Sequence, residues 1–264
     1  MARDDLVSRA ADCLALAAVD SKLTAVEALG EDWRYGRAPL GSTRFTPVLR
    51  NVGRPPRPEL VDPRNVPRRG VGAATGRQAM LHAIAHIEFT AVNLALDHLC
   101  RFPGLPSTYY ADWLGVAIEE VHHFRLLRGH LRTLGADYGD FPAHDGLSQM
   151  AEKTAGDCLA RMALVPRTME ARGLDVTPGI QGKLEAAGDA AAARILDVVL
   201  ADEVGHVALG DRWFRHLCAE RGLPAEATYR RLLVEYDAPR LQGPLNHAAR
   251  RAAGFSDEEL AGLD

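Results

Sequence analysis

Four glutamates stand inside apolar helical stripes of this chain, and that property most narrows what it can fold into. Leu81, Ile84, Ala85, Ala91, Val92 and Ala95 share one helical face, with Glu88 in its middle. Trp113, Val116, Ala117, Phe124, Leu127 and Leu131 share another with Glu120 and His123. Leu196, Val199, Leu200, Val207 and Phe214 surround Glu203 and His206. Leu159, Met162, Ala163 and Pro166 lead to Glu170, less cleanly because Arg167 is close. Recurrence at i, i+3, i+4 and i+7 makes each stripe one-sided, so these carboxylates face a core.

Burying four carboxylates without cations costs several kcal/mol each, or forces most to protonate. Two divalent ions bring +4 against −4 and remove that conflict. Two imidazoles complete an oxygen- and nitrogen-rich ligand set, which suits iron, manganese or a mixed pair better than a thiolate-seeking metal. The order reads Glu88, Glu120-x-x-His123, Glu170, Glu203-x-x-His206, the arrangement general to di-metal carboxylate bundles. The intervals from Glu88 to Glu120 and from Glu170 to Glu203 are nearly equal, as two helical hairpins each carrying half a site would give. With 15 Glu and 10 His, chance supplies roughly 0.6 Glu-x-x-His pairs. Three occur, two of them overlapping, so the register and order weigh more than the count.

The overlapping pair, Glu119-x-x-His122, lies on a more polar stripe with Asp112, Gly115 and His130. Glu120 and His123 are therefore the expected ligands, with His122 beside the site or solvated. Asp202 is expected either to hydrogen-bond a ligand histidine or to be solvated. His82 and His86 are also four apart but lack a third ligand and read as satisfied histidines. Tyr109, Tyr110 and Trp113 read as packing residues. No catalytic residue beyond the ligands is readable.

Outside 34–72 the chain is rich in helix formers and poor in β-rich runs. Expected helices cover about 4–17, 21–33, 75–100, 107–134, 145–173 (kinked or broken at Pro166), 178–188 and 189–221, with small ones after. Thr75 with Gln78, Ser107, Asp189, and Ser256 with Glu259 are the expected start signals. The fold class is all-α: a four-helix bundle with extra N- and C-terminal helices and a long Pro/Arg-rich segment before it. The expected division is 1–72, helices and strap packed on the bundle, and 73–264, the bundle with its C-terminal helices. Seven of the 15 Pro fall within 39–67, and a connection this long is usually functional or wraps the surface. Residues 34–69 hold nine Arg against Glu59 and Asp62, a local +7 inside a chain of net charge −4. That segment either straps the bundle by pairing with its acids or binds RNA.

No apolar run approaches the eighteen or so residues of a membrane helix, so no bilayer span is expected, and the N-terminus lacks a signal-peptide pattern, so a cytoplasmic protein is expected. Cys13, Cys100, Cys158 and Cys218 form no CxxC, which argues against a cysteine zinc or iron–sulfur site. P-loop, dinucleotide-fold and nucleophile-elbow motifs are absent.

The sequence resembles the ferritin-like family catalogued as domain-of-unknown-function 455. The resemblance rests on RPELVDPRNVPRRG (57–70), HAIAHIEFTAVNLALDH (82–98), GADYGDFPAHDGL (135–147), ARMALVPRTMEARGLDVTPG (160–179) and DEVGHVALGDRWF (202–214). It spans about residues 30 to 262 and implies a ferritin-like bundle with a di-iron or related site at Glu88, Glu120, His123, Glu170, Glu203 and His206. The superfamily includes a tRNA hydroxylase, desaturases, rubrerythrins and ferritins, and no one activity follows from membership.

The leading expectation is an O2-dependent di-iron oxidase or hydroxylase of unknown substrate, with an external electron donor because no cysteine redox module lies in cis. The alternatives are iron handling or peroxide reduction, and an RNA- or partner-binding module with a structural metal. A homo-oligomer is compatible with each.

Overall fold

The structure, a computed structural model, describes residues 4–41, 52–67, 69–239 and 243–263. Among them every regular element is helical. Two compact units divide the chain, Met1–Asp145 and Gly146–Asp264. In the first unit the N-terminal helices pack directly on the long helices that follow.

In the first unit α1 (Leu6–Ala15) and α2 (Val19–Arg34) lie against α3 (Ala74–Arg101) and α4 (Ser107–Thr133), which pair along their lengths. Leu6, Ala10 and Leu14 of α1 and Leu23, Val26 and Leu29 of α2 are buried. At Gly30 of α2 an added Cβ would fall 2.4 Å from Ile118 Cδ1, so glycine permits the approach to α4. Lys22 is fully buried. Its ammonium donates to the Leu14 carbonyl (3.1 Å), the Gly53 carbonyl (2.8 Å) and Asn93 Oδ1, tying α2 to α1 and α3. Burial holds the Lys22 amine down at about 7.

α3 bears on the expectation about membranes. It is long and apolar enough to cross one by length and composition, with mean hydropathy 1.3 over an 18-residue window. The stretch is not a continuous apolar run, which is why it escapes a run-based reading, and 67% of it is buried inside the protein.

Two start signals also differ. α3 has no side-chain cap, and Gln78 instead donates to the Leu134 carbonyl (2.6 Å), satisfying the frayed end of α4. Pro106 rather than Ser107 precedes α4, without a side-chain cap. Asp189 and the Ser256–Glu259 box cap their helices as read.

The Pro/Arg-rich segment is described in part, and Arg44, Arg50 and Arg68 lie outside the described residues. A 3₁₀ turn at Pro63–Asn65 follows a bridge in which Val61 N–H donates to the Ala143 carbonyl (2.8 Å) and Ala143 N–H to the Glu59 carbonyl (3.0 Å). Arg54 pairs with Asp145 (2.9 Å).

In the second unit the expected third long helix is a broken one: α5 (Gly146–Lys153), α6 (Cys158–Leu164), a π-helical turn (Val165–Glu170) and α7 (Ala171–Ala186). Asp157 restarts the helix by accepting from Leu159 N–H (3.0 Å). Pro166 has no N–H to give the preceding turn, and the backbone widens until Ala171 N–H reaches the Pro166 carbonyl. α7 then runs through Pro178, where a new helix was expected to start. The missing Pro178 N–H leaves the Leu174 carbonyl to Asn246, whose Nδ2 donates to it (3.1 Å). α8 (Ala190–Glu220) packs on α6, the π turn and α7, with α9 (Ala225–Glu235), α10 (His247–Ala252) and α11 (Asp257–Ala261) closing the unit.

Candidate metal centre

Glu88 of α3 and Glu120 and His123 of α4 meet in the interior of the first unit. All three are buried. His123 Nδ1 lies 3.1 Å from a Glu88 oxygen and 3.6 Å from a Glu120 oxygen. Each residue offers one donor atom, and these atoms lie within 4.8 Å of one another. The i, i+3 spacing turns Glu120 and His123 to one face of α4, and pairing of α3 with α4 brings Glu88 opposite.

The electrostatics show why a cation fits. Burial, then the neighbouring Glu120 charge, pushes the Glu88 carboxyl up to about 8, with the His123 hydrogen bond opposing. Burial alone pulls the His123 imidazole down. Hydrogen bonds to Glu120 and Glu88 overcome it and hold the ring protonated up to about 11. In metal-free protein protons do the neutralising that a cation would do.

Neighbouring residues separate cleanly. Glu119 and His122 are exposed, with the His122 ring 6.4 Å from that of His123. His82 and His86 are buried on the flank of α3. His82 Nε2 accepts from Gly139 N–H (2.9 Å), and His86 Nδ1 shares a hydrogen bond with Tyr138 hydroxyl (2.9 Å). Burial holds both imidazoles down at about 4. The Tyr138 ring also packs on Phe89 and Phe124, the residues next to Glu88 and His123. Nothing periodic in the sequence marked Tyr138, which sits in the loop after α4. Tyr109, Tyr110 and Trp113 are buried packing residues, Tyr110 hydroxyl donating to the Phe102 carbonyl (2.9 Å).

In the second unit Glu203 and His206 are buried on one face of α8, Nδ1 to carboxylate 3.7 Å. Glu170 ends the π turn and is half-buried. Among the described residues it joins no three-residue donor group. Asp202 is half-buried. Arg167, which blurred the stripe before Glu170, belongs to a separate ion network. It is fully buried, pairs with Asp211 (2.6 Å) and Glu259, and lies over the Tyr229, Phe255 and Phe214 rings. Its acids lie 44 and 92 residues away, beyond any sequence window.

Fold and site together define an all-helical protein with buried carboxylate–imidazole clusters able to hold a metal ion. The chain belongs to the family described as "Protein of unknown function (DUF455)", whose model matches residues 15–261. It is similar to a curated "Uncharacterized protein" of Haemophilus influenzae, 48% identical over 213 residues, covering 78% of this chain and 74% of that one. No solved structure matches it.

Proposed function

We propose that the chain is a ferritin-like di-metal carboxylate protein whose ions are iron, and that it acts as an O2-dependent oxidase or hydroxylase. The observation that carries this reading is the buried Glu88–Glu120–His123 cluster, in the register of a pattern that recurs at Glu203 and His206. Glu170 is the sixth ligand of the proposal. All six donors are carboxylate or imidazole, the set that iron or manganese prefers over softer metals.

Bound iron would supply the redox relay and the Lewis acidity for O2 activation. The chain's own residues do the rest. Glu88 and Glu120 place negative charge where a cation is needed, and burial keeps bulk water from competing for it. His123 must give up its proton, and Glu88 must be ionised, before either can ligate, so metal uptake releases protons. The four cysteines are buried and form no disulfide among the described residues. Electrons therefore come from a separate donor or from the substrate, in a reducing, cytoplasmic setting.

Anaerobic loading with ferrous iron followed by metal analysis tests the site. About two iron per chain, lost in Glu120→Ala, supports the reading. Absence of metal together with an unshifted melting temperature overturns it.

A further inference from the structure

The first unit holds an open cavity of about 370 Å³ that the metal centre does not use. Met80 and Ala83 of α3, Val66, Pro67, Phe141 and Arg69 are among the residues that line it. The guanidinium of Arg69 lies 5.4 Å from the Phe141 ring centroid. Among the described residues it pairs with no carboxylate. The other titratable lining residue is His144, and no described acid lines the cavity. Of the acids next in sequence to lining residues, Asp62 accepts from Arg64 N–H, Asp140 accepts from Asp137 N–H, and Asp145 pairs with Arg54.

A largely apolar cavity with a cation in its lining and no acid among the described lining residues selects an organic anion with an apolar body. At ~30 Å³ per water-sized group the volume holds about a dozen non-hydrogen atoms. One guanidinium matches one carboxylate by a bidentate pair. We propose that this cavity binds a monocarboxylic acid of roughly eight to ten carbons, its carboxylate on Arg69 and its body between Met80, Val66 and Phe141. The site is independent of the metal proposal.

The test is calorimetric titration of the full chain as purified with octanoate, octan-1-ol and octyl phosphate. The expected result is one octanoate per chain, with octanol at least tenfold weaker. Arg69→Gln, an exposed substitution that leaves the fold intact, should weaken octanoate about tenfold and leave octanol unchanged. Ala83→Trp, which fills the cavity, should abolish both. Glu120→Ala should leave octanoate binding as it is, which separates this site from the metal centre. Equal binding of octanoate and octanol, or octanoate binding unmoved by Arg69→Gln and Ala83→Trp, would overturn the proposal. Octyl phosphate binding tenfold tighter than octanoate would replace the carboxylate by a phosphate monoester.

Discussion

On α4 a shift of one residue turns a side chain by about 100°, enough to move a carboxylate from core to solvent. Glu120 is 1% exposed, and Glu119 lies outside with His122. The proposal accordingly distinguishes neighbours. Glu120→Ala should lose bound metal, whereas Glu119→Ala should keep the wild-type stoichiometry, as metal analysis of both purified variants will show. The same residues set a pH dependence. Glu88 is held up at about 8 and His123 at about 11. Both therefore bind protons more tightly folded than unfolded. Their contribution to metal-free stability is full below the unfolded values and is lost as pH rises, from about 4.5 for Glu88 and about 6.5 for His123. Lys22, held down at about 7, runs the other way between about 7 and 10.5, so the informative quantity is a difference. The melting temperature of metal-loaded minus metal-free protein should widen from pH 6 to pH 8.5. A gain that is flat with pH would contradict the assignment of those protons to the site. The apolar stripes made Glu88, Glu120 and His123 readable in advance because helix period and burial are local properties. Tyr138 and the Arg167 network were not readable, since a loop has no period and their partners are remote in sequence.

The π turn is the element on which the position of Glu170 depends. Its shape follows from Pro166, from Thr168 Oγ1 donating to the Ala163 carbonyl (2.8 Å), and from the close approach of α8. At Gly210 an added Cβ would sit 2.5 Å from the Pro166 ring, which the backbone fixes in place. Gly210→Ala should therefore cost about 1–3 kcal/mol by urea denaturation, through overpacking. Arg167 holds the same turn to α8 and α11 through Asp211 and Glu259. Arg167→Met leaves those buried acids with Arg215 as their remaining ion-pair partner among the described residues and should cost about 3–5 kcal/mol in the same assay. A loss under 1 kcal/mol would show the network to be dispensable. Helix existence was legible from sequence at this scale, but continuity was not. Pro178 looked like a beginning, and a side chain 72 residues away, Asn246, lets the helix pass through it.

For the whole molecule, the net charge of −4 hides two opposed features. The segment 34–69 is strongly basic, and of its described arginines Arg37 and Arg54 pair with acids. Arg34, Arg57, Arg64 and Arg69 have no ion pair among the described residues. The other feature is a core carrying carboxylates that a metal would neutralise. Because the proposed ions bind the folded chain, they should stabilise it by mass action, by about 4 kcal/mol at free metal a thousand times the dissociation constant. The central claim is that the buried carboxylates and imidazoles are ligands rather than protonated core residues. Anaerobic titration of metal-stripped protein with ferrous iron, followed by desalting and metal analysis, tests it most directly. Retention that saturates near two iron per chain with a raised melting temperature is the predicted result. No retained iron, with a melting temperature unchanged from the stripped protein, would contradict it.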